Sequence, residues 1–240
     1  MNRERTLNIY CLALGALGWF WLLASAPQVA SGTLFLFVIL AVLIELVGFR
    51  FPATDAHSLV GIVLLGAALA LGPTNGALIA ALSSLLYALI YAIFIGRARS
   101  FSMLVARPLL RSSVRAMGIL SGALLARTLG LAGAEASWPA ISLVALIPCY
   151  VLIVYLSRFL REYLQGGQNG LSTWWRASWS LFLFGEVAPL PLAALVAVIY
   201  SQLNLSYFLM AAAALIAASL SLIHISEPTR RTPISYAVFC

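Results

Sequence analysis

The chain has 240 residues, of which 63% are hydrophobic and only 9% are charged. A soluble domain carries about 25% charged residues, so this composition excludes a soluble enzyme, a nucleic-acid-binding protein and a disordered chain. The net charge of +7 reflects 14 arginines, no lysine and seven acidic residues. These charges fall mostly in short loops, and they therefore do not indicate a nucleic-acid partner. The composition is that of a membrane protein with several spans.

Eight apolar segments follow one another along the chain and predict an all-α fold. Spanning helices need about 17–25 apolar residues. In lipid the backbone is stable only where its N–H and C=O groups are hydrogen-bonded to each other. We therefore expect a polytopic membrane helical bundle with about eight transmembrane helices (six to eight). The third segment is short and is joined tightly to the fourth, so the pair forms either a full hairpin, which we favour, or a re-entrant pair. The segments are 7–25, 33–50, 57–72, 75–96, 114–133, 138–158, 177–200 and 202–219.

The first segment has two interpretations. Arg3 and Arg5, the apolar run and Ala24-Ser25-Ala26 have the layout of a cleavable signal peptide. The apolar part of a signal peptide usually has about 7–15 residues, and the run 7–23 is longer, so we favour an uncleaved anchor.

The arginines predict the orientation. Positive charge in short loops favours the cytoplasm. With the amino terminus inside, eleven of the twelve arginines before residue 219 lie in cytoplasmic segments, and the twelfth, Arg127, lies within a span. We expect a multi-pass protein of the bacterial cytoplasmic (inner) membrane with both termini in the cytoplasm.

The last 21 residues differ from the rest. After Ser221 the apolar run gives way to a polar tail that contains proline. Leu220 to Arg230 can be encoded by the transposon end used in sequencing libraries, and Ile234 to Cys240 by the adaptor that follows it. The tail thus resembles translated adaptor sequence, which must be excluded from fold reasoning. We expect residues 1–219 to form the transmembrane helical module and residues 220–240 to be an adaptor-derived tail that the natural protein lacks.

Known catalytic and phosphate-binding motifs are missing from the sequence. It has no Gly-x-Ser-x-Gly elbow, no His-Glu-x-x-His pair and no phosphate-binding glycine-rich loop. The three cysteines lack the spacing of a disulfide framework or a metal site. We therefore predict no catalytic, cofactor-binding or metal-binding residues, and no enzyme activity for the chain as given.

Ionisable residues inside the bilayer mark function by default. Arg127 and Glu186 are predicted at similar depth, about 15 Å from the cytoplasmic edge, and form a candidate buried charge pair or ligand contact. The alternative is that Arg127 snorkels outward. Glu45 is a minor candidate, which either reaches the inner interface or pairs with Arg50. His57 is another, as a pH sensor or as an ordinary solvated loop histidine.

Two further patterns concern partners. Arg107, Arg111 and Arg115 recur every four residues and predict the basic face of a helix that lies on the inner leaflet. Anionic lipids would contribute about 1 kcal/mol per arginine there, although the helix could instead dock on a cytoplasmic domain. Pro189 and Pro191 interrupt the seventh segment next to Glu186, which indicates either a kink or a pocket for a small-molecule ligand.

The apolar sequences carry a family resemblance. Phe51-Pro52, the run His57 to Pro73 and the run Ala77 to Leu86 resemble the amino-terminal membrane region of bacterial signalling proteins with HD-GYP, GGDEF or histidine-kinase output domains. The resemblance covers roughly residues 7–219, and it implies a membrane sensor or anchor module truncated before its cytoplasmic output domain.

Other functions remain open. A membrane subunit of a small-molecule (vitamin-type) transporter would use Arg127 and Glu186 as ligand contacts. A third interpretation is an intramembrane enzyme, but the sequence lacks a recognisable set of catalytic residues. The expected partners are the lipid bilayer and anionic lipids, with a small-molecule ligand and a second copy of the chain left open.

Overall fold

A computed structural model describes residues 3–47, 49–50, 56–57, 59–95, 101–132, 138–181 and 187–226. Eight α-helices make up most of this described part, which confirms the predicted all-α class. A small antiparallel pair of strands, β1 (Phe49–Arg50) and β2 (Ala56–His57), connects the second helix to the third. The helices are α1 (Arg3–Ala24), α2 (Ser31–Leu46), α3 (Val60–Leu71), α4 (Pro73–Ile90), α5 (Arg107–Thr128), α6 (Leu143–Leu181), α7 (Ala193–Gln202) and α8 (Leu205–Ser226).

The helices fall into two length classes. In the described residues, four are long and apolar enough to cross a membrane: Arg5–Ala24, Pro73–Phe94, Leu104–Thr128 and Ala140–Leu164. The remaining helices contain shorter apolar stretches of 10–17 residues: Ser31–Leu46, Val60–Leu71, Leu190–Gln202 and Leu205–Ser221. Each of the eight predicted segments thus contains a helix, and four of the helices in the described residues are both long and apolar enough for a full span.

Three helix boundaries differ from the prediction. The fifth helix begins at Arg107 instead of residue 114, and the sixth continues to Leu181 instead of ending at residue 158. The predicted seventh segment, 177–200, is divided: its first residues end α6, and α7 begins only at Ala193 after a 3₁₀ turn, Leu190–Leu192. Pro189 and Pro191 account for this break, because proline cannot donate the backbone hydrogen bond that continues a helix.

Small residues set the distance between neighbouring helices. Gly118 and Gly122 of α5 face α6 at the spacing typical of close helix pairs in membranes. A Cβ atom at Gly122 would lie 2.8 Å from Cα of Leu146. On the other side of α5, a Cβ at Gly15 of α1 would lie 2.7 Å from Cγ of Leu109. Helices α1 and α6 therefore both pack closely against α5.

Helix α1 is also held by hydrogen bonds. Trp19 Nε1 donates to Ser112 Oγ of α5 at 2.9 Å, and the Tyr10 hydroxyl lies 3.2 Å from Ser157 Oγ of α6. These bonds join α1 to the bundle at two levels along its axis. The interpretation of α1 as an uncleaved anchor stays a prediction.

The short helix α3 lies in the core of the bundle. Residues 60–69 are all buried, and α3 packs against α2, α4 and α7. Its 12 residues give a length of about 18 Å, which is less than the hydrocarbon thickness of about 30 Å. The predicted hairpin of the third and fourth segments is therefore an unequal pair, a short buried helix followed by a full-length one.

The turn between α3 and α4 is compact. Gly72 has a φ of 87°, a conformation that favours glycine, and Pro73 starts α4 directly after it. Asn75 secures the turn, because its Nδ2 donates to the Leu71 carbonyl and its Oδ1 accepts from the Gln28 backbone N–H, both at 2.8 Å. The loop between α1 and α2 is thereby fixed to the same end of the bundle.

Candidate functional site

A buried ion pair connects α2 with α5. Arg115 Nη2 donates to Glu45 Oε1 at 2.7 Å, and its Nη1 donates to Glu45 Oε2 at 3.0 Å. Only 1% of the Glu45 side chain and 7% of the Arg115 side chain are exposed. Such a two-point arginine–carboxylate contact is strong and fixes the relative orientation of both groups. The pair therefore links the end of α2 to α5 through side chains.

A second arginine and a serine extend this pair into a cluster. Arg111 Nη2 also donates to Glu45 Oε1, and Arg115 Nη1 donates to Ser84 Oγ of α4 at 2.9 Å. The Arg111 guanidinium carbon lies 4.7 Å from the centroid of the Tyr87 ring, also on α4. We call Glu45, Ser84, Tyr87, Arg111 and Arg115 the ionic cluster. It joins three helices, α2, α4 and α5.

The location of the ionic cluster follows from the chain directions. Glu45 lies in the last turn of α2, Tyr87 in the last turn of α4, and Arg111 in the second turn of α5. These helix ends meet at one end of the bundle. Within the cluster two guanidinium groups face one carboxylate, so one positive charge is in excess.

The structure corrects the prediction that three arginines of α5 share one exposed face. Arg107, Arg111 and Arg115 do not form one exposed basic face, because Arg107 is exposed, Arg111 is half-buried and Arg115 is buried. The face that carries Arg115 packs in the bundle, where a charge needs a partner. Glu45 supplies it, since its described partners are these two arginines of α5. The side chain of Arg50 lies outside the described residues, so its pairing with Glu45 stays a prediction.

Arg127 lies near the carboxyl end of its helix. Because α5 ends at Thr128, Arg127 is in its last turn, where it is exposed and its guanidinium carbon lies 5.6 Å from the centroid of the Trp138 ring. A cation near a helix carboxyl end is also favoured by the helix dipole. Glu186 lies outside the described residues, so its pairing with Arg127 stays a prediction.

Replacing Arg127 with leucine is expected to cost little stability. An exposed cation–π contact contributes about 0.5–1 kcal/mol, and the loss should be of that size in detergent unfolding. The double variant Arg127→Leu/Glu186→Leu tests the pair. Recovery of stability beyond the Arg127→Leu variant would show that the two charges meet, contrary to the small loss expected here.

His57 is described only by its backbone. It is one of the two residues of β2, and it pairs with Phe49 of β1. The side chains of His57 and Arg50 lie outside what the structure describes. The pH-sensing hypothesis for His57 therefore stays a prediction.

Sequence reasoning missed the two residues of α4 in the ionic cluster. Ser84 and Tyr87 lie three residues apart in an apolar helix, on the face that contacts α5. This polar stripe was the available signal, since a serine and a tyrosine on one helix face provide hydrogen-bonding and cation-binding groups.

Comparison with known proteins adds no assignment. No family model matches the chain, and neither a curated protein nor a solved structure matches it.

Proposed function

We propose that residues 1–219 are the membrane sensor or anchor module of a bacterial signal-transduction protein whose output domain follows in the cytoplasm. The observation that supports this most is the length of α6. Its 39 residues correspond to about 58 Å, roughly twice the hydrocarbon thickness. One end of this helix packs in the bundle, and the other end continues well beyond the bilayer. Such a helix mechanically connects the membrane to the aqueous phase.

The packing of α6 agrees with such a connection. Its first half contacts α5 through Gly118 and Gly122, and Tyr10 of α1 bonds to Ser157. Arg158 and Arg161 follow within the next turn, where the apolar part ends. Under the arginine rule this end is cytoplasmic, on the same side as the expected output domain.

A transporter subunit is the second candidate, and the short helices favour it. Short or proline-interrupted membrane helices that pack together often form the binding site of a transporter. Here α3 and α7 are such a pair, and a Cβ at Gly66 of α3 would lie 2.8 Å from Cγ1 of Val196 in α7. The described contact surface is mainly small and apolar, so a substrate there would need few polar contacts.

The genomic sequence downstream of codon 219 distinguishes the two functions. We expect the reading frame to continue into a cyclase, phosphodiesterase or kinase domain when the locus is recovered from a library made without transposon adaptors. A stop codon shortly after codon 219, beside transporter genes, would instead support the transporter subunit. Finding codons 220–240 contiguous with codon 219 in an intact genome would refute the adaptor interpretation.

The orientation has its own test. A reporter enzyme fused after Arg99 should be active in the cytoplasm, and one fused after Gly133 should be active on the outer side, because arginine-rich loops stay inside. Signals from two compartment-specific reporters, such as a phosphatase and a fluorescent protein, measure this. The reverse pattern would place both the α6 extension and the carboxyl end outside, and a cytoplasmic output domain would be untenable.

A further inference from the structure

We propose that Arg107 and Arg111 form a binding site for the phosphate group of a phospholipid headgroup at the end of the bundle that holds the ionic cluster. The proposal requires that the bundle lie in a membrane, but it does not depend on the signalling role. It differs from a general attraction to the inner leaflet, because it assigns the contact to two arginines and excludes the third.

The positive charge of the ionic cluster is incompletely neutralised. Glu45 is shared by two arginines, and Arg115 is buried against it and against Ser84. Arg111 differs, because 36% of its side chain is exposed. Within the described part of the chain its one hydrogen bond leaves from Nη2 toward Glu45. A guanidinium has five N–H donors, so the outward edge of Arg111 can donate to a second anion.

The guanidinium group of Arg111 is preorganised for binding. Glu45 holds one edge of its guanidinium, and the Tyr87 ring lies against its face at 4.7 Å. A planar guanidinium that is fixed in this way loses little conformational freedom on binding, and it matches the geometry of phosphate oxygens. Glu45 and Tyr87 therefore act as positioning residues for Arg111.

Arg107 is a neighbour of Arg111 on the surface of α5. Arg107 lies four residues before Arg111 in α5 and is exposed. Residues at this spacing are neighbours on one face of a helix. Arg107 and Arg111 can therefore approach one phosphate group together, whereas Arg115 is committed to Glu45 in the interior.

The apolar surroundings identify the source of the phosphate as a lipid. Exposed apolar side chains follow the end of α4 and precede α5 at this end of the bundle: Ile93, Phe94, Phe101 and Val105. Such side chains favour contact with acyl chains. A free phosphate ion would gain nothing from them, whereas a phospholipid would use both the arginines and the apolar surface.

Binding is tested with the full chain in a neutral detergent. Three additives are compared by native mass spectrometry and by the shift in thermal unfolding midpoint: phosphatidylglycerol, diacylglycerol with the same acyl chains, and inorganic phosphate. We expect phosphatidylglycerol to bind and stabilise most, because it alone carries both phosphate and chains. Equal stabilisation by inorganic phosphate would overturn the lipid source, and equal binding of diacylglycerol would overturn the phosphate contact.

Three arginine variants locate the site. Arg111→Gln and Arg107→Gln should each weaken phosphatidylglycerol binding about tenfold, which is equivalent to about 1.4 kcal/mol. Arg127→Gln is the matched control, since Arg127 is also exposed on α5 and also lies over an aromatic ring, but at the opposite end. Its affinity should remain within about twofold of the unchanged protein.

Equal losses in all three variants would show diffuse attraction and refute a defined site. Arg107 has no contact with Glu45 in the described structure, so Arg107→Gln keeps the test decisive even where Arg111→Gln impairs folding. An unchanged affinity in Arg107→Gln would refute the two-arginine site.

Discussion

Replacing Glu45 with leucine is expected to destabilise the folded bundle by about 3–5 kcal/mol, the usual effect of removing one partner from a buried ion pair. Arg115 would keep its buried position but lose both of its contacts with the carboxylate. The Ser84 hydroxyl also accepts a hydrogen bond from Arg115, but it carries no charge and does not replace the carboxylate. Unfolding of the purified chain in mixed detergent micelles measures the change.

Two comparison variants make this result specific. Glu162→Leu removes a carboxylate that is 23% exposed and whose ion pair within the described residues is with its neighbour Arg161, so it should cost less than about 1 kcal/mol. The double variant Glu45→Leu/Arg115→Leu should recover much of the loss, because no buried charge is then left unpaired. Equal losses from Glu45→Leu and Glu162→Leu would mean that the ionic cluster does not stabilise the bundle.

Replacing Gly76 with alanine is expected to separate α3 from α4 and to cost about 1–3 kcal/mol or more, as overpacking of a close contact does. The added Cβ would lie 2.4 Å from Cα of Ala68 and 2.6 Å from its backbone nitrogen. Backbone atoms cannot move aside as a flexible side chain can. The loss should appear as a lower midpoint of unfolding in the same detergent assay.

Gly32 provides the matched control for this substitution. It lies in the first turn of α2, and no atom lies within 4 Å of a Cβ built there. Gly32→Ala should be neutral or stabilising by up to about 1 kcal/mol, since alanine favours the helix more than glycine does. A similar loss in both variants would contradict close α3–α4 packing as the cause.

The sequence was sufficient for the class of the protein and for most helices. Its hydropathy determined eight helices, because burial of apolar side chains in lipid forces the backbone to bond within each segment. Local residues also determined some ends: proline interrupts the chain before α7, and Gly72 with Pro73 turns α3 into α4. The sequence did not predict the second half of α6, because residues 159–176 include polar and charged side chains and a hydropathy profile detects only apolar runs.

The ionic cluster, by contrast, was decided by the tertiary structure. The spacing of Arg107, Arg111 and Arg115 correctly predicted that they share a helix, but it could not show which side of that helix is buried. For Glu45 the sequence offered Arg50, five residues away, whereas the structure pairs it with Arg115, 70 residues away. Charged side chains pair across whichever helices become neighbours, and here α4 packs against both α2 and α5, which brings Glu45 within reach of Arg115. Composition and periodicity describe one helix at a time, so they determine which residues can pair but not which of them meet.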